Sequence, residues 1–119
     1  MLVVDDDEDM LAVIQGVLED HGLAVVTARD GREAVGAAER ETPDLLILDV
    51  TLPVLSSTSV AERMREMSGA PLPVLVITAD GHARQKATQL GAYRYLRKPF
   101  DLTDLLDAVW LGLRARSAD

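Results

Sequence analysis

At 119 residues and 48% apolar composition, the chain can bury a sizeable core as one domain and is no disordered segment. Twenty acidic against 12 basic residues give a net charge of −8, a poor balance for gripping nucleic-acid phosphates, and zero cysteine excludes a disulfide scaffold or a thiolate metal site. No apolar run approaches the roughly 18–20 residues of a membrane helix, and acids directly after Leu2-Val3-Val4 exclude a signal peptide, so a cytoplasmic protein without membrane or direct nucleic-acid contacts is expected.

Leu2-Val3-Val4 reads as a first strand ending on Asp5. A strand so close to the amino end is expected of a piece trimmed from a longer chain, with residues 1–119 forming the domain and no output domain among them. Asp7 is placed to cap a helix in which Met10, Leu11, Ile14, Val17 and Leu18 recur at helical spacing, and His21-Gly22 ends it. Leu23 to Ala28 reads as strand two. Asp30-Gly31 opens a helix from Arg32 to Arg40, and Thr42-Pro43 breaks it.

Leu45-Leu46-Ile47-Leu48-Asp49 is an unbroken apolar run ending on a carboxylate, the pattern of a strand buried on both faces. The polar cluster Ser56 to Ser59 precedes a helix from about Val60 to Met67. Pro73 to Thr78 is a fourth strand, Gly81 to Leu90 a weakly apolar helix, and Tyr93 to Leu96 a fifth strand, polar enough to sit at an edge. Asp101 and Asp104 form an acidic version of the capping box before a last helix, whose expected buried stripe is Leu102, Leu105, Leu106, Val109 and Leu113, with Trp110 at its margin. Five strands alternating with five helices predict an α/β fold: a doubly wound parallel sheet with helices on both faces.

Ligands in such sheets gather at the carboxyl ends of the strands. Here those ends deliver Asp5 and Asp6, Asp49, Thr78 and, in the turn after strand five, Lys98. Converging carboxylates repel, and a hard divalent cation such as Mg²⁺ resolves the repulsion, usually on one or two carboxylates. Asp6 and Asp49 are expected as direct ligands and Asp5 through a bound water, with the backbone carbonyl of Thr51 as the third protein ligand. Asp49 is then a nucleophile for a phosphoryl group, with Lys98 and Thr78 spreading charge on the phosphoryl oxygens and an aspartyl phosphate as product. His21 and His82 have no metal spacing and read as surface residues.

Four fragments carry a resemblance: Val3-Val4-Asp5-Asp6-Asp7, Asp44 to Asp49 with Leu52-Pro53, Val76-Ile77-Thr78-Ala79, and Lys98-Pro99-Phe100. Their order, with 44 residues from Asp5 to Asp49, 29 from Asp49 to Thr78 and 20 from Thr78 to Lys98, resembles the receiver domain of two-component response regulators over the whole chain. The resemblance implies a flavodoxin-like sheet of receiver type. It implies Mg²⁺-dependent transfer to Asp49 from a phosphohistidine on a histidine kinase or histidine phosphotransfer protein, with self-catalysed loss of the phosphoryl group. The domain would thus be a phosphoacceptor rather than an enzyme. It also implies a switch: Thr78 moves toward the phosphate, Tyr95 changes rotamer, and the surface of the fourth helix, fifth strand and fifth helix meets an output domain or target differently. A cis bond before Pro99 is a trait of the family.

The sequence departs from that family twice. Ser56-Ser57 stand where a glycine is usual after the nucleophile, which questions the loop from Val54 to Thr58. Tyr93-Arg94 replace the acidic pair of the winged-helix subfamily, arguing against that subfamily's dimer, although a phosphorylation-dependent homodimer of another kind stays open. Two other functions compete. A pseudo-receiver would keep the fold as an interaction module without phosphorylation. A haloacid-dehalogenase-like phosphohydrolase would need an acid two residues past Asp49, where Thr51 stands. Thr51 and Asp80 are expected to flank the phosphate and set its lifetime.

Overall fold

A computed structural model describes residues 1–50, 57–69, 71–79 and 81–117. Within them run β1 (Leu2–Val4), α1 (Glu8–Asp20), β2 (Val26–Ala28), α2 (Gly31–Arg40), β3 (Leu46–Asp49), α3 (Ser57–Ser68), β4 (Val74–Thr78), α4 (Ala83–Leu90), β5 (Arg94–Arg97) and α5 (Leu102–Ser117). The strands form one parallel sheet in the order β2-β1-β3-β4-β5. The alternation read from the sequence is the architecture found.

Period-two alternation within the central strands divides the core in two. Leu46, Leu48, Val74 and Val76 point to one face, under α2, α3 and α4; Leu45, Ile47, Leu75 and Ile77 point to the other, under α1 and α5. Both faces are covered, which is why β3 and β4 are apolar throughout their buried length. On the first face α2 contributes Ala34, Ala37 and Ala38, small residues that let a helix lie close to the sheet.

The expected caps are present. The Asp7 side chain accepts from the amides of Asp9 and Met10 at the start of α1, and Asp30 accepts from the amide of Glu33 at the start of α2. Gly22 follows α1 at φ 82°, and Gly91 ends α4 in the left-handed conformation.

Boundaries moved where tertiary partners decide them. Strand two covers Val26–Ala28 rather than starting at Leu23, because the parallel ladder with β1 extends only over Leu2–Val4. α3 begins at Ser57, three residues before Val60; serine and threonine are at home in a first turn, where amides have no intrahelical acceptor. α4 begins at Ala83 instead of Gly81, after a His82 cap that makes no side-chain capping bond. β5 is shifted by one residue, to Arg94–Arg97, and lies at the sheet edge as expected. On α5 the buried positions are Leu105, Ala108 and Val109, with Leu106 and Leu113 partly covered. Leu102, expected in the stripe, is 41% exposed, since it precedes the first full turn facing the sheet.

Candidate functional site

The register brings the acids together. Val4 pairs with Leu48 across β1 and β3, so Asp5 and Asp49 leave adjacent strands at the same level. β1 holds Asp5 through its amide, which donates to the Ala28 carbonyl, and β3 is continued by the Val50 amide donating to Ile77. Asp5 and Asp49 are buried, while Asp6, one residue on, is exposed. Carboxylate oxygens of Asp5, Asp6 and Asp49 lie within 4.8 Å of one another.

Lys98 enters from the loop after β5. Its amide donates to the Thr78 carbonyl at 2.8 Å, tying that loop to the end of β4, and the Lys98–Pro99 bond is cis. The ammonium donates to Asp5 at 2.7 Å and to Asp49 at 3.2 Å. Thr78 is buried at the end of β4, the strand next to β3.

One ammonium serves two buried carboxylates, so the site holds an excess of negative charge. Burial pushes the Asp5 carboxyl up to about 6, the neighbouring Asp49 adds to the rise, and the Lys98 ammonium and the Asp7 amide only partly oppose it. Burial draws the Lys98 ammonium down, but its bond to Asp5 and the charge of Asp49 outweigh that and hold it above its ordinary value. Oxygen-only donors, surplus negative charge and an exposed third acid suit a hard divalent cation. The donor set therefore fits the metal expected from the sequence.

Asp5, Asp6, Asp49, Thr78 and Lys98 thus share one edge of the sheet. Tyr95 stands apart on β5, 37% exposed. Thr51, Asp80 and the departure at Val54 to Ser56 lie outside the described residues. Both histidines are exposed.

Sequence reasoning missed one structural contact at the opposite edge of the sheet, where Tyr93 meets the start of β4. Tyr93, taken as the first residue of strand five, instead turns to α5, where its hydroxyl donates to the Ala108 carbonyl at 2.6 Å. Burial raises its phenol above the usual tyrosine value. The contact needs Gly112: a Cβ there would lie 2.6 Å from the Tyr93 hydroxyl and 2.7 Å from Leu45. A glycine inside an otherwise good helix was the available signal.

A doubly wound parallel sheet with buried aspartates, a lysine and a threonine at its carboxyl edge defines a class of phosphoryl-accepting α/β domains. The response regulator receiver domain family matches residues 1–110, and the chain belongs to that family. It is 40% identical over 120 residues to the transcriptional regulatory protein PrrA of Mycobacterium tuberculosis, covering 99% of this chain and 51% of that protein. Its fold is similar to a CheY-like receiver domain of Methanospirillum hungatei (TM-score 0.88, 25% identity, 98% and 94% of the two chains). It is also similar to the response regulator TrrA of Thermotoga maritima, solved in complex with Mg²⁺–BeF (TM-score 0.81, 29% identity, 94% and 96% of the two chains). The chain spans about half the length of curated relatives such as PrrA. It is a phosphoacceptor signalling domain of two-component systems, and the family disfavours both the phosphohydrolase and the pseudo-receiver. Among the described residues, no helix is long and apolar enough to cross a membrane.

Proposed function

We propose that Asp49 accepts a phosphoryl group from a phosphohistidine of a histidine kinase or histidine phosphotransfer protein, with Mg²⁺ held by Asp5, Asp6, Asp49 and the Thr51 carbonyl. The observation that carries this reading is the Lys98 ammonium reaching both Asp5 and Asp49 beside a third carboxylate. A carboxylate oxygen of Asp49 attacks phosphorus, the P–N bond to the donor imidazole breaks, and that imidazole takes up a proton. Bound at the acids, the metal ion would draw negative charge from the equatorial phosphoryl oxygens and from the carboxylates.

The chain's own groups do the rest. Lys98 supplies a point charge and fixes the edge of the site, since its backbone is bonded to Thr78. The Thr78 hydroxyl donates to a phosphoryl oxygen, a bond that only the phosphorylated state offers. Its movement, followed by Tyr95, biases the face of α4, β5 and α5 toward one of two arrangements. Water attacking the acyl phosphate returns Asp49 and releases inorganic phosphate, the self-catalysed reset. The structure of TrrA with Mg²⁺–BeF supports the metal and the phosphoryl analogue by similarity.

Incubation with Mg²⁺ and acetyl phosphate, or with beryllofluoride, tests this. Intact mass should gain one phosphoryl group, and the fluorescence of Trp110 should change. The absence of a Mg²⁺-dependent adduct, or one that survives Asp49→Asn, would sink the proposal.

A further inference from the structure

The loop that joins β1 to α1 carries Asp6 at the carboxyl edge of the sheet. Among the described residues, no hydrogen bond or ion pair holds the exposed Asp6 carboxylate, whereas the Lys98 ammonium grips Asp5 and Asp49. The place of that carboxylate is therefore set by the chain on either side of it.

Both sides are tied to the turn between β2 and α2. Before Asp6, the Asp5 amide donates to the Ala28 carbonyl at 3.0 Å. After it, the Glu8 carboxylate accepts from the guanidinium of Arg29, the next residue of that turn, also at 3.0 Å. Asp6 and Asp7 lie between the two ties. The turn is itself braced. The Arg29 amide donates to Glu33 at 2.9 Å, and a second guanidinium nitrogen donates to the other Glu33 oxygen at 3.2 Å. The Glu33 amide in turn donates to the Asp30 side chain at 2.8 Å. The Arg29 amide and guanidinium hold the Glu33 carboxyl below its ordinary value. Arg29 thus presents separate nitrogens of one planar fork to the start of α1 and the start of α2. An isolated exposed ion pair contributes little, but this one belongs to a network that spans the two residues between its ties.

We propose that Arg29 is a positioning residue for the metal site: by pairing with Glu8 it clamps the loop from Asp5 to Glu8 and holds the Asp6 carboxylate where it can share a cation with Asp5 and Asp49. Arg29 acts through Glu8 and not on the cation. This role rests on the Mg²⁺ site of the phosphorylation reading. Charge alone makes the opposite demand, since a guanidinium near a divalent cation repels it.

Arg29→Gln and Glu8→Gln each break the pair, yet they change the charge beside the site in opposite directions. Arg29, Glu8 and Glu33 are exposed, so neither substitution disturbs the core. If the pair positions Asp6, both variants should bind Mg²⁺ more weakly in titration calorimetry, Arg29→Gln by about threefold and Glu8→Gln by about fivefold. The double variant should bind no more weakly than Glu8→Gln, because a broken pair cannot be broken twice. Arg63→Gln, which breaks the exposed pair with Glu39, should stay within about 1.5-fold of the parent. In EDTA, the heteronuclear NOE of the Asp6 and Asp7 amides should fall in both single variants and keep its parental value in Arg63→Gln. Three results would overturn the clamp alone: tighter Mg²⁺ binding by Arg29→Gln, parental affinity in both single variants, or unaltered Asp6 and Asp7 amides. A parent chain that binds no Mg²⁺ would overturn the phosphorylation reading together with the clamp.

Discussion

The Lys98 ammonium lies 2.7 Å from Asp5 and 3.2 Å from Asp49, closer to the neighbouring acid than to the proposed acceptor. A cation bound by the acids would relieve Asp5 and free Lys98 to serve the phosphoryl group. Lys98→Met should therefore cost stability as well as phosphorylation. It leaves two buried carboxylates without their ammonium, a loss of about 3 kcal/mol, at the low end for a broken buried pair because Asp5 can take up a proton. Urea unfolding with EDTA should show that loss, and saturating Mg²⁺ should recover most of it. A variant as stable as the parent in EDTA would contradict the charge arrangement.

The raised Asp5 carboxyl has a definite consequence for pH. Its value in the folded chain is about 6 against an ordinary 3.8, so between those values the folded state binds more protons than the unfolded state. Asp5 thus destabilises the metal-free fold progressively as pH rises from about 4 to 6 and fully above that window. Asp5→Asn should flatten the dependence, as read by unfolding midpoints in EDTA. Mg²⁺ should flatten it as well, since the bound cation favours the ionised carboxylate.

Asp6 differs from Asp5 in exposure, and the two should separate experimentally. Asp6→Asn removes an exposed carboxylate proposed as a ligand and should change stability in EDTA by no more than about 0.5 kcal/mol. Its Mg²⁺ affinity, followed by titration calorimetry, should nevertheless fall about tenfold or more. Unchanged affinity would remove Asp6 from the ligand set.

Gly112 should tolerate no side chain. The Cβ of Gly112→Ala would press on the Tyr93 ring and on Leu45 in a packed region, at a cost of about 1–3 kcal/mol. Tyr93→Phe should lose about 1 kcal/mol for the bond to Ala108. Because the substitutions meet at one contact, the double variant should lose less than the sum of the two single ones. Simple additivity in thermal or urea unfolding would show that the clash is relieved elsewhere.

What the sequence determined by itself was the order of things along the chain. Apolar runs at β1, β3 and β4, each ending on a polar residue, dictated a parallel sheet and named Asp5, Asp49 and Thr78, because strands buried on both faces cannot hide their pattern. Asp7, Asp30 and Gly22 marked helix ends through local chemistry that needs no distant partner.

Tertiary structure decided whatever depends on a neighbour across space. The length of β2 was set by its ladder with β1, not by Leu23-Ala24-Val25. Leu102 lost the burial expected of it, and the packing of α5 on the sheet leaves a slot at Gly112 that Tyr93 fills. The closeness of Lys98 to Asp5, 93 residues away in the chain, is a distance that one-dimensional spacing does not encode.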